Sequence, residues 1–149
     1  MLNDIYDVEI DKVNSPDRPI ASGRVEVREA LAFGIILSVL SIASSFLLGV
    51  WTLLTATLAL VLMIYYNTRG KKTGLFGNAV VSFNVALPFF YGGLAVGSLN
   101  PLLLVFSVLA FLANLGREVA KGIPDAQGDR QLGVRTLAVS RGPRAAANV

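Results

Sequence analysis

Ala30–Thr68, ALAFGIILSVLSIASSFLLGVWTLLTATLALVLMIYYNT, runs for 39 residues without Asp, Glu, Lys or Arg, and its length decides the fold. As one helix it would extend about 58 Å at 1.5 Å per residue, against a hydrocarbon core of about 30 Å. One crossing leaves too much chain, so the tract must fold back. The reversal is expected at Leu48-Gly49-Val50-Trp51-Thr52, where a glycine permits the turn and a tryptophan suits the lipid–water interface. Ser38, Ser41, Ser44 and Ser45, ahead of that turn, are spaced for close helix packing.

A second uncharged tract, Thr73–Gly116, is 44 residues long and breaks at Gly97-Ser98-Leu99-Asn100-Pro101, with proline placed to open the next helix. Four spans follow, near residues 30–48, 51–67, 76–97 and 101–121. The expected class is all-α, a polytopic transmembrane helix bundle. Every charged residue lies in one of three windows, Asp4–Glu29, Arg69–Lys72 and Arg117–Arg144. Four crossings put all three windows on one face of the membrane, and the positive-inside tendency makes that face cytoplasmic. The chain is thus expected in the cell membrane, with its chemistry on the cytoplasmic side.

Composition narrows that chemistry. The chain is 54% hydrophobic with mean hydropathy +0.62 and only 15% charged residues, against about 25% in soluble domains. It contains no Cys and no His, which excludes zinc centres, thiol nucleophiles, disulfide frameworks and His-based triads. A net charge of +3 gives no reason to invoke nucleic acid. Carboxylates, Lys, Arg, Tyr, amides and an added metal remain.

The stretch NDIYDVEIDKVNSPDRPIASG, residues 3–23, carries the first acidic cluster. Helical through Asp11, it would stack Asp4, Asp7 and Asp11 on one face with Asn3 beside them. Like charges on one face repel, and hard divalent cations with oxygen ligands relieve that repulsion. The plain alternative is a solvated helix end. An acidic helix starting at the first residue has nothing to anchor it, so the chain is expected to be part of a longer polypeptide. Asn14-Ser15-Pro16-Asp17-Arg18-Pro19 should end the helix in a loop that sets Arg18 and Arg24 beside the acids. Arginine's planar fork suits phosphate, or serves solubility alone.

Tyr65-Tyr66-Asn67-Thr68-Arg69-Gly70-Lys71-Lys72 closes the second span. It reads either as an interfacial belt with basic anchors, or as Tyr66, Asn67, Lys71 and Lys72 reaching an anionic headgroup. The third span carries Asn78, Asn84 and the run Pro88-Phe89-Phe90-Tyr91. Asparagines in a span need partners or a polar cavity. The aromatics either pack or offer ring faces to a carbocation. After the fourth span come Arg117 and Lys121, then Asp125 and Asp129 at i and i+4, with Arg130 following. Two acidic faces flanked by basic residues therefore reach the same side of the membrane. Such a pair fits a diphosphate held through Mg²⁺, which takes one or two carboxylates and completes its shell with water and phosphate oxygens. Lys and Arg would neutralise the departing group, and the apolar bundle would take a long hydrocarbon tail.

Asn3-Asp4-x-x-Asp7-x-x-x-Asp11 with Pro16-Asp17-Arg18-Pro19 and Gly23, and later Asp125-x-x-Gly128-Asp129-x-x-x-Gly133-x-x-Thr136-Leu137, resemble the two aspartate-rich signatures of the UbiA superfamily of intramembrane prenyltransferases. Arg117-Glu118-x-x-Lys121 and the run Tyr66…Lys71-Lys72…Gly77-Asn78 most resemble the archaeal digeranylgeranylglyceryl phosphate synthases within it. The resemblance implies a nine-helix fold of which the chain covers the middle, without the first helix, most of the second and the last three or so. It also implies Mg²⁺ dependence and prenyl transfer from an allylic diphosphate to a lipid-like acceptor, here geranylgeranyl diphosphate to geranylgeranylglyceryl phosphate. Quinone precursors and chlorophyllide are the alternative acceptors.

Carried over residue by residue, Asn3, Asp4, Asp7, Asp11, Asp125 and Asp129 would serve the metal, the last four of these aspartates being catalytic. Arg18, Tyr66, Asn67, Lys71, Lys72, Arg117, Lys121 and Arg130 would serve the substrate. Gln127 stands where a glutamate is common, and the family's Tyr/Lys pair maps loosely, Lys71 following Tyr66 by five residues. A cation transporter is the reading from another class; it calls for acids within the spans, whereas these cluster at span ends.

Overall fold

Gly49 carries the reversal that the long apolar tract demands. Its φ of 128° and ψ of 173° are open to glycine alone, and it separates two helices by a single residue. The computed structural model describes residues 2–124 and 137–147. Among them every regular element is helical: α1 Leu2–Tyr6, α2 Val8–Asn14, α3 Val27–Leu48, α4 Val50–Thr68, a 3₁₀ turn Gly70–Thr73, α5 Leu75–Ala95, α6 Pro101–Lys121, α7 Leu137–Arg141 and α8 Pro143–Ala147. The helices α3, α4, α5 and α6 are each long and apolar enough to cross a membrane, so the chain is a multi-pass membrane protein.

The chain divides into two compact units, Met1–Leu53 and Leu54–Val149. In the first, α1 packs against α3. A capping box in which Glu26 and Glu29 receive each other's backbone N–H starts α3. The helix therefore begins before the uncharged tract and takes in Arg28 and Glu29. The reversal is tighter than the five-residue turn expected. Thr52, expected within that turn, is buried in the first turn of α4, and its hydroxyl donates to the carbonyls of Ser45 (2.9 Å) and Gly49 (2.7 Å). Of the four serines only Ser45 is buried, and Ser38 and Ser45 donate to carbonyls of their own helix. Serine here satisfies itself locally, as membrane helices require.

In the second unit α5 is the central helix. The amide of Asn84 donates to Ala59 O on α4 (3.2 Å), and Tyr65 on α4 meets Phe76 edge-on at 6.5 Å. On the opposite side of α5, Ser82 accepts from the amide of Asn114 on α6 (3.1 Å). Two turns further along, Phe89 stacks on Phe106 with centroids 6.1 Å apart. Partners advance along α5 as they retreat along α4 and α6, so both neighbours run antiparallel to it. Residues two apart on a helix point about 200° from each other, which is why Asn84 and Ser82 serve different neighbours. The turn from α5 to α6 uses Gly97 at φ 66° and Asn100, whose side chain accepts from Leu102 N (2.9 Å) ahead of Pro101. Beyond α6, Val119 and Ala146 form a small core with Ile123 and Leu137.

Candidate functional site

The acidic stretch forms two short helices, not one. Asp7 at φ −102° and ψ 9° is the junction, yet the i to i+4 hydrogen bonds continue through it, from Asp7 N to Asn3 O (2.9 Å) and from Asp11 N to Asp7 O (2.7 Å). The helical spacing therefore survives a local unwinding. Arg18, carried back by the loop, donates from one guanidinium nitrogen to Asp4 (3.2 Å) and Asp11 (2.8 Å). Residues fourteen and seven positions apart are thus tied by the one arginine of the Pro16-Asp17-Arg18-Pro19 turn.

Arg24 braces that turn from outside, donating to Ser22 Oγ (3.0 Å) and to the carbonyl of Asp17. Glu9 and Lys12 pair on the solvent side at 2.7 Å. No three acidic groups among the described residues lie close enough together to hold a metal ion by themselves.

The basic half lies in the second unit. Tyr66 and Asn67 end α4, and Lys71 and Lys72 occupy the 3₁₀ turn that leads into α5. Asn67 turns its amide back to Met63 O (2.7 Å) and leaves a buried Oδ1 without a hydrogen-bond partner. The register read from Ser82–Asn114 and Phe89–Phe106, continued toward the N-terminus of α5, brings Asn78 level with Glu118. Arg117 and Lys121 thus stand at the same end of the α4–α5–α6 layer as Lys71 and Lys72. Lys121 directs its ammonium to Glu118 at 2.8 Å, and the Glu118 side chain is only 15% exposed. Asp125, Asp129 and Arg130 lie outside the described residues. The described chain on either side of them is joined: Ile123 and Leu137 both pack on the Val119–Ala146 core.

Two features escaped the sequence. The first is the Glu118–Lys121 pair, whose signal was an acid and a base three residues apart on a helix. The second is the packing of Gly70 and Gly77, two glycines that flank the basic pair.

Residues 1–149 match the UbiA prenyltransferase family from end to end. The chain belongs to that family. Among similar UbiA proteins, digeranylgeranylglyceryl phosphate synthase of Saccharolobus solfataricus is 46% identical over 144 residues, covering 95% of this chain and 51% of that protein. The synthase of Korarchaeum cryptofilum is 46% identical over 141 residues, covering 95% and 50% respectively. The chain thus spans about half the length of the curated relatives it matches. A solved structure concerned with digeranylgeranylglyceryl phosphate synthase in membranes superposes with a TM-score of 0.77 at 30% identity, over 97% of this chain and 51% of that one. The apo structure of a UbiA homolog from Aeropyrum pernix K1 gives 0.78 at 26% identity, over 97% of this chain and 56% of that one. The fold expected from two uncharged tracts is therefore the UbiA membrane fold, in the part that the chain covers.

Proposed function

We propose that this chain forms the catalytic half-site region of an archaeal-type ether-lipid prenyltransferase, which transfers geranylgeranyl from its diphosphate to geranylgeranylglyceryl phosphate. The observation that carries the reading is the 42–46% identity, across at least 95% of the chain, to relatives named digeranylgeranylglyceryl phosphate synthase. The active face is read as cytoplasmic, since four crossings return every charged window to one side.

The donor chemistry of the acidic face suits magnesium. Its side chains offer oxygen ligands only, and a hard cation that takes one or two carboxylates does not need three acids in contact. Asn3, Asp7 and Asp11, with Asp125 and Asp129, are the residues that would hold it, and Asp4 stands beside them under the pull of Arg18. When bound, magnesium would neutralise diphosphate oxygens and make the diphosphate a better leaving group.

The chain's own residues then have defined tasks. Arg18 fixes the Asp11 carboxylate, and through it the face that α2 presents. Lys71, Lys72 and Arg117 supply positive charge for the departing diphosphate. Lys121, held on Glu118, contributes by exchanging that partner for a phosphate oxygen, and Tyr66, Asn67 and Arg130 complete the substrate-facing set. The apolar spans keep water from the allylic cation. The bond from the prenyl C1 to the diphosphate oxygen breaks with its electron pair leaving on oxygen. The acceptor hydroxyl forms the new C–O bond, and its proton passes to the released diphosphate or to an aspartate.

Membranes containing the protein, given labelled geranylgeranyl diphosphate and competing acceptors, should yield labelled digeranylgeranylglyceryl phosphate. Label transferred instead to an aromatic acceptor would overturn the choice of acceptor, and no transfer to any acceptor would overturn the reading.

A further inference from the structure

We propose that Gly77 is a positioning residue that sets where Lys71 and Lys72 stand at the mouth of the site, an inference that rests on the prenyl-transfer reading above. Gly77 lies buried in the first turn of α5 with ordinary helical backbone, so no left-handed conformation calls for glycine there. A helical glycine is less favourable than alanine by about 1 kcal/mol. What requires it is proximity: a methyl on Gly77 would overlap the carbonyl oxygen of Gly70, and would lie 2.8 Å from its carbon and 3.1 Å from Thr73 Oγ1.

The carbonyl of Gly70 also closes the basic turn, accepting the Thr73 hydroxyl at 2.7 Å. Gly70 is itself wedged against α4, where an added methyl would meet Tyr66 Cδ2 at 3.3 Å and Tyr65 Cε1 at 3.5 Å. The turn is therefore clamped between the aromatic end of α4 and the bare face of α5. Lys71 and Lys72 lie between the two clamped residues, Gly70 and Thr73. Tyr65 and Tyr66 block a retreat toward α4, so bulk at Gly77 must displace the backbone that carries both lysines.

The test is binding of inorganic pyrophosphate in the presence of magnesium by the purified protein in lipid nanodiscs, followed calorimetrically beside the thermal unfolding midpoint. Gly77→Ala should weaken binding by about tenfold to a hundredfold, the worth of one hydrogen bond to a charged group. Gly92→Ala, where the methyl meets nothing within 4 Å, should bind as the wild type does. In a Lys71→Met, Lys72→Met background, Gly77→Ala should add almost nothing, because the groups it misplaces are already gone.

A Gly77→Ala protein that binds like Gly92→Ala, or whose loss is undiminished without the two lysines, overturns the role. If Gly77→Ala does not fold, Thr73→Val frees the same carbonyl without adding bulk and should weaken binding in the same lysine-dependent way; binding unchanged by it overturns the role too. Wild-type protein that binds no pyrophosphate overturns the prenyl-transfer reading itself, whereas wild-type binding matched by the variants overturns only Gly77.

Discussion

Replacing Arg18 with alanine removes a side chain that spans Asp4 and Asp11, and the expected cost follows from how deeply each carboxylate is set. The Asp11 side chain is 9% exposed and 2.8 Å from the guanidinium, whereas that of Asp4 is 33% exposed and 3.2 Å away. Removing the partner of a fully buried charge costs about 3–5 kcal/mol, and an exposed pair is worth about 0.2–1 kcal/mol. Arg18 is itself 43% exposed, so water enters when it is removed, and the Asp11 contact belongs between those limits. We expect a loss of about 1–2 kcal/mol, most of it from Asp11, measured by denaturant unfolding of the protein in mixed micelles.

Lysine at this position can reach one carboxylate at a time, and should recover roughly half of the loss. The decisive comparison is the same substitution in two backgrounds. With Asp11→Asn the loss from Arg18→Ala should fall to about 0.5 kcal/mol or less, because no buried charge is left stranded and Asp4 is reached by water; with Asp4→Asn it should persist. Equal losses in the two backgrounds would refute the argument that burial, not proximity alone, sets the value of this pair.

Ser82→Ala should lower stability by about 0.5–2 kcal/mol, the range for one hydrogen bond between membrane helices. Ser82 is 0% exposed and is the acceptor for Asn114, so thermal unfolding in detergent should show the loss, and the Asn114→Leu, Ser82→Ala double variant should recover part of it. Gly49→Ala isolates backbone strain, since φ is 128° and an added methyl meets nothing within 4 Å; it should cost about 1–3 kcal/mol in the same assay. Asp7→Ala should abolish magnesium-dependent prenyl transfer while changing the unfolding midpoint little, and chelation should silence the wild type and be reversed by added magnesium. Turnover near wild type in Asp7→Ala would count directly against the assignment.

The spans were legible because an absence is easy to read. Two long tracts without charge admit only a few crossings of fixed length, and neither the register of the helices nor their neighbours enters that argument. The observed spans begin or end within a few residues of those expected, and the departures have local causes. A capping box at Glu26 draws α3 outward past Arg28 and Glu29, and one glycine does the work expected of a five-residue turn. The break at Asp7 was not legible. Nothing in Asn3–Asp11 forbids a continuous helix, and the junction appears only in the backbone at Asp7.

The candidate site was read in the sequence from charge alone. Acids and bases at span ends announce themselves, but what they touch depends on contacts between elements. Arg18 stood out as a phosphate ligand, yet its nearest engagement is with the acids of its own unit. Lys121 stood out as a cation for the substrate, yet it rests on Glu118. In both places the basic group is held on a carboxylate of its own unit. Any anion proposed as its ligand has to compete with that carboxylate, and charge read along the sequence discloses the cation without disclosing the competitor.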